Sequence, residues 1–195
     1  MEKGNILNIL RSNRTVFTFK EILIASGEKK ANLLRRRLNY YVKNGQLYHL
    51  RRGIYAKSSD YNRFELATKI YTPAYISFET VLAKEGVIFQ YYNKIFVASY
   101  QPKEIECDNF VYSFKKIKDT ILNNILGIDN RENYFIASKE RAFLDTLYLN
   151  KDYYFDNLSA LDLKKINLLL PIYNSKKMNK RVKDLFKGVK NDNRY

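Results

Sequence analysis

Apolar residues recur with two different periods in the stretch from Lys29 to Lys57, and this change of period predicts its local structure. From Lys29 to Lys43 they return every three or four positions, which predicts an amphipathic helix. Gly45 follows at a position where a left-handed conformation commonly ends a helix. Gln46 to Leu50 and Ile54 to Ala56 alternate as strands do, so we expect a hairpin behind the helix.

Two shorter helices are predicted ahead of this stretch. The first spans Asn5 to Leu10, where the apolar residues have helical spacing. The second begins after Thr18, which lies three residues before Glu21 in the spacing of a capping box, and ends near Ser26-Gly27. Three helices followed by a hairpin are typical of a winged helix-turn-helix, which we therefore predict for residues 1–57.

The remaining chain mixes both kinds of pattern. Residues 62–190 contain β-branched and aromatic runs that predict strands, and these runs alternate with segments of helical spacing. We expect Ser77 and Ser138 to cap two of the helices. The fold class predicted for the whole chain is α+β, with a second domain at 62–190 that combines a small antiparallel sheet and C-terminal helices.

One face of the Lys29–Lys43 helix offers cations, amides and a tyrosine together, while the opposite face is apolar. A solvated helix face is the simplest interpretation of such a charge run. The capped helix before it, the stop at Gly45 and the two arginines of the following turn favour binding to DNA instead. The predicted DNA-binding residues are Lys29, Lys30, Asn32, Arg36, Arg37, Asn39, Tyr40, Lys43, Arg51 and Arg52.

These residues divide by the contact that their chemistry favours. Amides, arginine and tyrosine on the central face would read base edges, and we expect this role for Asn32, Arg36, Asn39 or Tyr40. The flanking cations are better suited to phosphates or the minor groove, and they are Arg37, Lys43, Arg51 and Arg52. Arg35 lies nearest the apolar side and is expected to serve the structure.

The net charge of +15 is concentrated at the two ends of the chain. Residues 1–57 carry +10, residues 58–163 carry −3 and residues 164–195 carry +8. Such a distribution indicates two separate basic surfaces, each able to bind a polyanion. The second predicted basic surface is either a solvated helix face or a partner contact and comprises Lys176, Lys177, Lys180, Arg181, Lys183 and Lys187.

Residue types that carry catalysis are scarce. With 7 glycines in no close cluster, the chain has no phosphate-binding loop, and one histidine and one cysteine cannot form a zinc cluster. We therefore expect no enzyme activity, no cofactor and no metal. No apolar run approaches the ~20 residues that a membrane span needs, and no signal peptide is recognisable, so a cytoplasmic protein without a membrane partner is expected.

Two segments carry a resemblance to a known family. YISFETVLAKEGVI (Tyr75 to Ile88) and SKERAFLDTLYL (Ser138 to Leu149), behind the predicted winged helix, resemble the AbiE-type antitoxins, the regulator half of bacterial abortive-infection toxin–antitoxin pairs. The resemblance extends from about Asn5 to Phe186, and the quoted segments are mostly core residues rather than a catalytic signature.

The resemblance implies a function for each half of the chain. The N-terminal domain would repress its own operon by binding inverted repeats in the promoter, as a transcriptional regulator in phage defence. The C-terminal domain would act as the antitoxin against a nucleotidyltransferase-like toxin, without implying a stable complex of the two. A solitary regulator without a toxin, or an RNA-binding protein with basic ends and stacking tyrosines, remains the alternative.

Overall fold

The computed structural model describes residues 11–192, so the predicted helix Asn5 to Leu10 lies outside the described residues. Eight α-helices lie in this part of the chain: α1 (Phe19–Ser26), α2 (Ala31–Lys43), α3 (Arg63–Ile70), α4 (Glu79–Lys84), α5 (Asp119–Leu122), α6 (Lys139–Leu149), α7 (Leu163–Leu169) and α8 (Lys176–Asp192). Short 3-10 turns occupy Leu158–Ala160 and Leu170–Tyr173.

Nine strands form two sheets in the same residues. The strands are β1 (Val16–Thr18), β2 (Tyr48–Arg51), β3 (Ile54–Ala56), β4 (Ala74–Ile76), β5 (Lys94–Ser99), β6 (Lys103–Cys107), β7 (Phe110–Lys116), β8 (Ile128–Arg131) and β9 (Tyr134–Ala137). The α+β class predicted from the sequence is therefore confirmed.

The first sheet is antiparallel, with the order β1-β3-β2, and α1 and α2 pack on one of its faces. The capping box predicted at Thr18 is confirmed, because the Thr18 hydroxyl accepts from Glu21 N and the Glu21 carboxylate accepts from Thr18 N at 2.7 Å. Gly27 and Gly45 adopt left-handed conformations where α1 and α2 end. A small core fills this side of the sheet, formed by Phe17, Ile22, Leu34, Leu38, Leu47 and Tyr55.

The second sheet differs from the small antiparallel one that the sequence predicts. It has six strands in the order β6-β7-β5-β4-β9-β8, and the pairs β5–β7 and β4–β9 are parallel. The β6–β7 hairpin turns through Asp108 and Asn109, both at positive φ, and inserts β7 rather than β6 beside β5. A local alternation pattern predicts strands but not which neighbour each strand pairs with, and this is why the prediction is wrong.

A buried ion pair lies between the second sheet and α6. Arg141 and Asp145, one helical turn apart, are both 0 % exposed, and Arg141 Nε donates to Asp145 Oδ1 at 3.3 Å. The Asp145 carboxylate also accepts from the hydroxyls of Tyr75, Ser77 and Tyr173 at 3.0, 2.8 and 2.6 Å. Burial raises the pKa of Asp145, and Arg141 and the three hydroxyls oppose that rise.

The remaining donors of Arg141 tie further segments to this centre. Its Nη1 reaches the carbonyl of Leu126 at 2.8 Å, and its Nη2 reaches that of Ile121 at 2.7 Å. Ser138 caps α6 as predicted, by accepting from Arg141 N. The capping role predicted for Ser77 is wrong, because Phe78 is the N-cap of α4 and the Ser77 hydroxyl is committed to Asp145.

The two sheets are joined through the buried carboxylate of Glu65 in α3, which is 2 % exposed. Its Oε2 accepts the backbone N–H groups of Thr15 and Val16, each at 2.9 Å, and its Oε1 accepts from Asn133 at 3.3 Å. Val16, like Ile54 of β3, belongs to the large core of the second sheet. The face of the first sheet that is opposite α1 and α2 is thus part of that core.

Replacement of Glu65 by glutamine should lower the free energy of unfolding by about 1–3 kcal/mol, because the amide keeps one acceptor oxygen where the carboxylate has two. Either the two backbone N–H groups or the Asn133 amide then faces an NH₂ group instead of an acceptor. Urea unfolding of the full chain, followed by far-UV circular dichroism, measures this difference. Glu106→Gln, at an exposed position of β6, is the matched control and should change little. Equal stability of the two variants would contradict the role assigned to Glu65.

Candidate nucleic-acid interface

The face of α2 that points away from the first sheet is exposed and carries no acidic residue. Leu34 and Leu38 are 0 % exposed and hold the opposite face against the small core. Tyr40 is 63 % exposed at the centre of the outer face. Eight of the ten predicted contact residues are exposed, namely Lys29, Lys30, Asn32, Arg36, Asn39, Tyr40, Lys43 and Arg52.

Glu28 holds the turn between α1 and α2, which the sequence does not reveal. Its Oε1 accepts from Lys30 N at 3.1 Å, and its Oε2 accepts from Arg37 Nη1 at 3.1 Å. The Glu28 side chain is 15 % exposed, so this ion pair is partly shielded from water. Arg37, predicted to contact phosphate, is half-buried and bound within the protein, which makes it a positioning residue for the start of α2.

Arg35 and Asn32 form a second contact along α2. The Arg35 guanidinium lies 4.8 Å from the ring centroid of Phe19 in α1, and its Nη1 donates to Asn32 Oδ1 at 3.0 Å. This agrees with the structural role expected for Arg35. This hydrogen bond occupies one lone pair of Asn32 Oδ1, the oxygen that asparagine also uses as the acceptor when it recognises adenine.

The turn between β2 and β3 presents one exposed arginine rather than two. Arg52 is exposed beside Gly53, whose φ of 75° the turn requires and whose carbonyl accepts from Phe19 N at 2.7 Å. Arg51 is half-buried, and its Nη1 has no hydrogen-bond partner in the described part of the chain. Burial raises the pKa of the Cys107 thiol in β6, and the charge of the nearby Arg51 opposes the rise. The main chain next to Arg51 contacts the second sheet, since the Cys107 thiol donates to the carbonyl of Leu50 at 3.3 Å.

The predicted second basic surface lies on α8. Met178, Val182 and Phe186 of this helix are buried in the large core, as the spacing predicts. The outward residues Lys176, Lys177, Lys180, Lys183 and Lys187 are exposed, and Arg181 is half-buried. Lys187 pairs with Asp184 at 3.4 Å on the surface. The face of α8 is therefore strongly cationic but contains an acid, unlike that of α2.

In the part of the chain that the structure describes, neither a metal site nor a membrane-spanning helix accompanies these surfaces. Over residues 11–192, no group of three or more His, Cys, Asp or Glu side chains is arranged to hold a metal ion. In the same range, no helix combines the length and the apolar composition that crossing a membrane requires. Comparison of the chain with protein-family models and with curated proteins finds no match.

The two neighbouring arginines Arg35 and Arg36 should respond differently to truncation. Arg35→Ala removes the contact with Phe19 and should lower the free energy of unfolding by about 0.5–1 kcal/mol. Arg36→Ala removes an exposed side chain that forms no ion pair with the described residues, and should stay within about 0.5 kcal/mol of the unsubstituted chain. Chemical denaturation of both variants makes the comparison, and a larger loss of stability in Arg36→Ala would refute the division of roles.

Proposed function

We propose that the chain is a DNA-binding transcriptional repressor and that residues 1–57 are a winged helix-turn-helix with α2 as its recognition helix. The observation that carries this proposal is the outer face of α2, where exposed cations, amides and Tyr40 lie together without an acid. Support also comes from the order of elements, in which α1, a turn, α2 and the β2–β3 hairpin follow one another as they do in winged helices.

The dimensions of α2 suit the major groove of DNA. A helix of this type is about 10–12 Å across with its side chains, and the groove is about 12 Å wide. In this arrangement Arg36 and Asn39 face base edges, with Arg36 able to bind guanine through two hydrogen bonds. Lys43, Lys29 and Lys30 neutralise phosphates, and Arg52 reaches the backbone or the minor groove from the hairpin.

The same geometry disfavours duplex RNA as the target. The major groove of A-form RNA is deep and narrow, and side chains on a helix of this width do not read it. A stacking mode on single-stranded RNA would need several exposed aromatic rings beside the cations. On α2, Tyr40 provides one such ring, while Tyr41 is half-buried. Duplex DNA is therefore the preferred partner of this face.

We further propose that the C-terminal part acts as the antitoxin of a nucleotidyltransferase-like toxin and that the repressor controls the operon encoding both. This half of the proposal rests on the resemblance of two segments, Tyr75 to Ile88 and Ser138 to Leu149. Both segments pack around one buried centre, since Tyr75 and Ser77 from the first meet Arg141 and Asp145 from the second. The resemblance therefore concerns residues that form one structural unit.

Removing two cations from the outer face should weaken binding to the upstream DNA of the gene. In Arg36→Ala/Lys43→Ala, the slope of log K against log salt should fall in magnitude by about 0.9 for each phosphate that the variant no longer neutralises. A gel-shift titration of the full chain at several salt concentrations gives this slope. Lys164→Ala/Lys165→Ala removes the same charge from exposed positions of α7 and is the control. Equal binding of both double variants would contradict a reading face on α2.

The antitoxin role should survive loss of DNA binding. Arg36→Ala/Lys43→Ala, expressed from an independent promoter, should still restore growth of cells that express the neighbouring toxin, because its exposed substitutions leave the second sheet and its core unchanged. Colony counts on inducing medium measure the rescue. If the unsubstituted chain fails to rescue, the antitoxin half is wrong and the repressor half is unaffected.

A further inference from the structure

A cavity of about 530 Å³ opens between α3, α4 and the start of β5, on a part of the molecule that the DNA-binding proposal does not use. This volume lies in the range of about 300–1,000 Å³ that small-molecule sites occupy. Four aromatic side chains line it, namely Phe64, Tyr91, Tyr92 and Phe110. Tyr91 is 87 % exposed at the rim, which leaves one face of its ring available for stacking.

Cations outnumber acids around this cavity. Arg63, Lys84 and Lys94 line it, and Glu79 is the one acidic side chain among its lining residues. Both oxygens of Glu79 already accept from Lys115 Nζ at 2.8 Å, so this charge is neutralised inside the protein. Lys94 is paired with Glu104 at 2.9 Å. A bound anion would therefore meet Arg63 and Lys84 as the available charges.

The chemistry of these two cations suits a phosphate group. The Arg63 guanidinium lies over the ring of Phe110, 4.4 Å from its centroid, at the wall of the cavity. Neither Arg63 nor Lys84 forms an ion pair with another of the described residues. Arginine and lysine without acidic partners are the side chains that proteins use to bind phosphate.

The neutral polar groups of the cavity are donors as well. Thr80 Oγ1 accepts from Phe96 N at 2.7 Å, which leaves its hydroxyl proton for another acceptor. Asn62 Oδ1 accepts from Phe64 N at 2.9 Å, which leaves its amide hydrogens. A ligand complementary to this cavity is therefore rich in acceptors, negatively charged and able to stack a flat face on an aromatic ring.

We propose that this cavity binds a nucleotide, with the base stacked on Tyr91 and the phosphate held by Arg63 and Lys84. The chemistry is shared by a free nucleoside phosphate and by one nucleotide of a single strand. Base–aromatic stacking tolerates any base, so the site selects the class of ligand rather than the sequence. This function goes beyond DNA recognition by α2 and does not depend on it.

Isothermal titration calorimetry of the full chain tests the proposal. The titrations use the Arg36→Ala/Lys43→Ala background, in which binding of nucleic acid to α2 is expected to be weakened. The probes are AMP, GTP and the oligonucleotide dT8, with adenosine and inorganic pyrophosphate as partial ligands. We expect the mononucleotides to bind more tightly than either partial ligand, because only they engage the ring and the cations together. Binding of dT8 alone, if Tyr91→Ala weakens it, would assign the site to single strands, which are the other source of the same chemistry.

Variants at exposed positions separate a binding role from a folding role. Tyr91→Ala should weaken nucleotide binding about tenfold, which corresponds to the ~1.4 kcal/mol expected for one stacked base. Lys84→Ala should weaken the phosphate-bearing probes severalfold and leave adenosine unchanged. Lys164→Ala/Lys165→Ala is the control for loss of charge and should bind as the parent does.

Two results would overturn the proposal. One is the absence of heat with all of the probes at millimolar concentration, and the other is nucleotide binding that survives both Tyr91→Ala and Lys84→Ala. Because Tyr91 forms no hydrogen bond or ring contact with the described residues, unfolding is not expected to explain weaker binding by Tyr91→Ala. The unfolding midpoint of each variant, measured beside the titration, verifies this.

Discussion

The buried pair of Arg141 and Asp145 is the interaction on which the larger part of the structure depends. An ion pair at 0 % exposure is tolerated only where further hydrogen bonds satisfy the remaining donors and acceptors, and here hydroxyls and main-chain carbonyls do so. The groups come from β4, from the segment around α5, from α6 and from the turn that contains Tyr173. Removing any one of these segments would leave a buried donor or acceptor of the pair without its hydrogen-bond partner.

The second constraint is the buried carboxylate of Glu65, which accepts hydrogen bonds from the main-chain N–H groups of Thr15 and Val16. This carboxylate and the ion pair of Lys69 with Glu21 connect α3 to the edge of the first sheet and to the start of α1. Burial alone would raise the pKa of Glu21, but the hydrogen bonds from Lys69 and Thr18 lower it below its usual value. The proposed recognition helix therefore packs on one face of the first sheet, and the opposite face of that sheet is part of the large core.

This arrangement gives the two proposed binding surfaces different physical characters. On α2 the cations stand on a convex helix face that suits a groove, while Arg63 and Lys84 flank a concave cavity with aromatic walls. At each surface an internal ion pair neutralises a nearby charge. Glu28 pairs with Arg37 beside α2, and Lys115 pairs with Glu79 at the cavity. The charges that remain available determine what each surface can bind.

The local pattern of the sequence is sufficient for most elements of the first sheet and its helices. The capping box at Thr18, the left-handed Gly45 and the buried side of α2 depend on residues within one or two helical turns, so spacing predicts them. The exposure of Arg36 and Tyr40 follows from the same periodicity. The structural role of Arg35 is predictable as well, because its position next to the apolar side is also a local property.

Only the tertiary structure decided which strands pair and which charged residues are buried. The six-stranded order with parallel β5–β7 and β4–β9 pairs joins residues far apart in sequence, and no local period encodes such contacts. The same reason applies to Glu65, which contacts residues 49 and 50 positions away, and to the half-buried Arg51. The sequence by itself thus determined where the longer helices form and which face of α2 is polar, because these depend on neighbours along the chain. Short strands such as β1 and β4, and the burial of a charge, depend on partners that folding alone brings together.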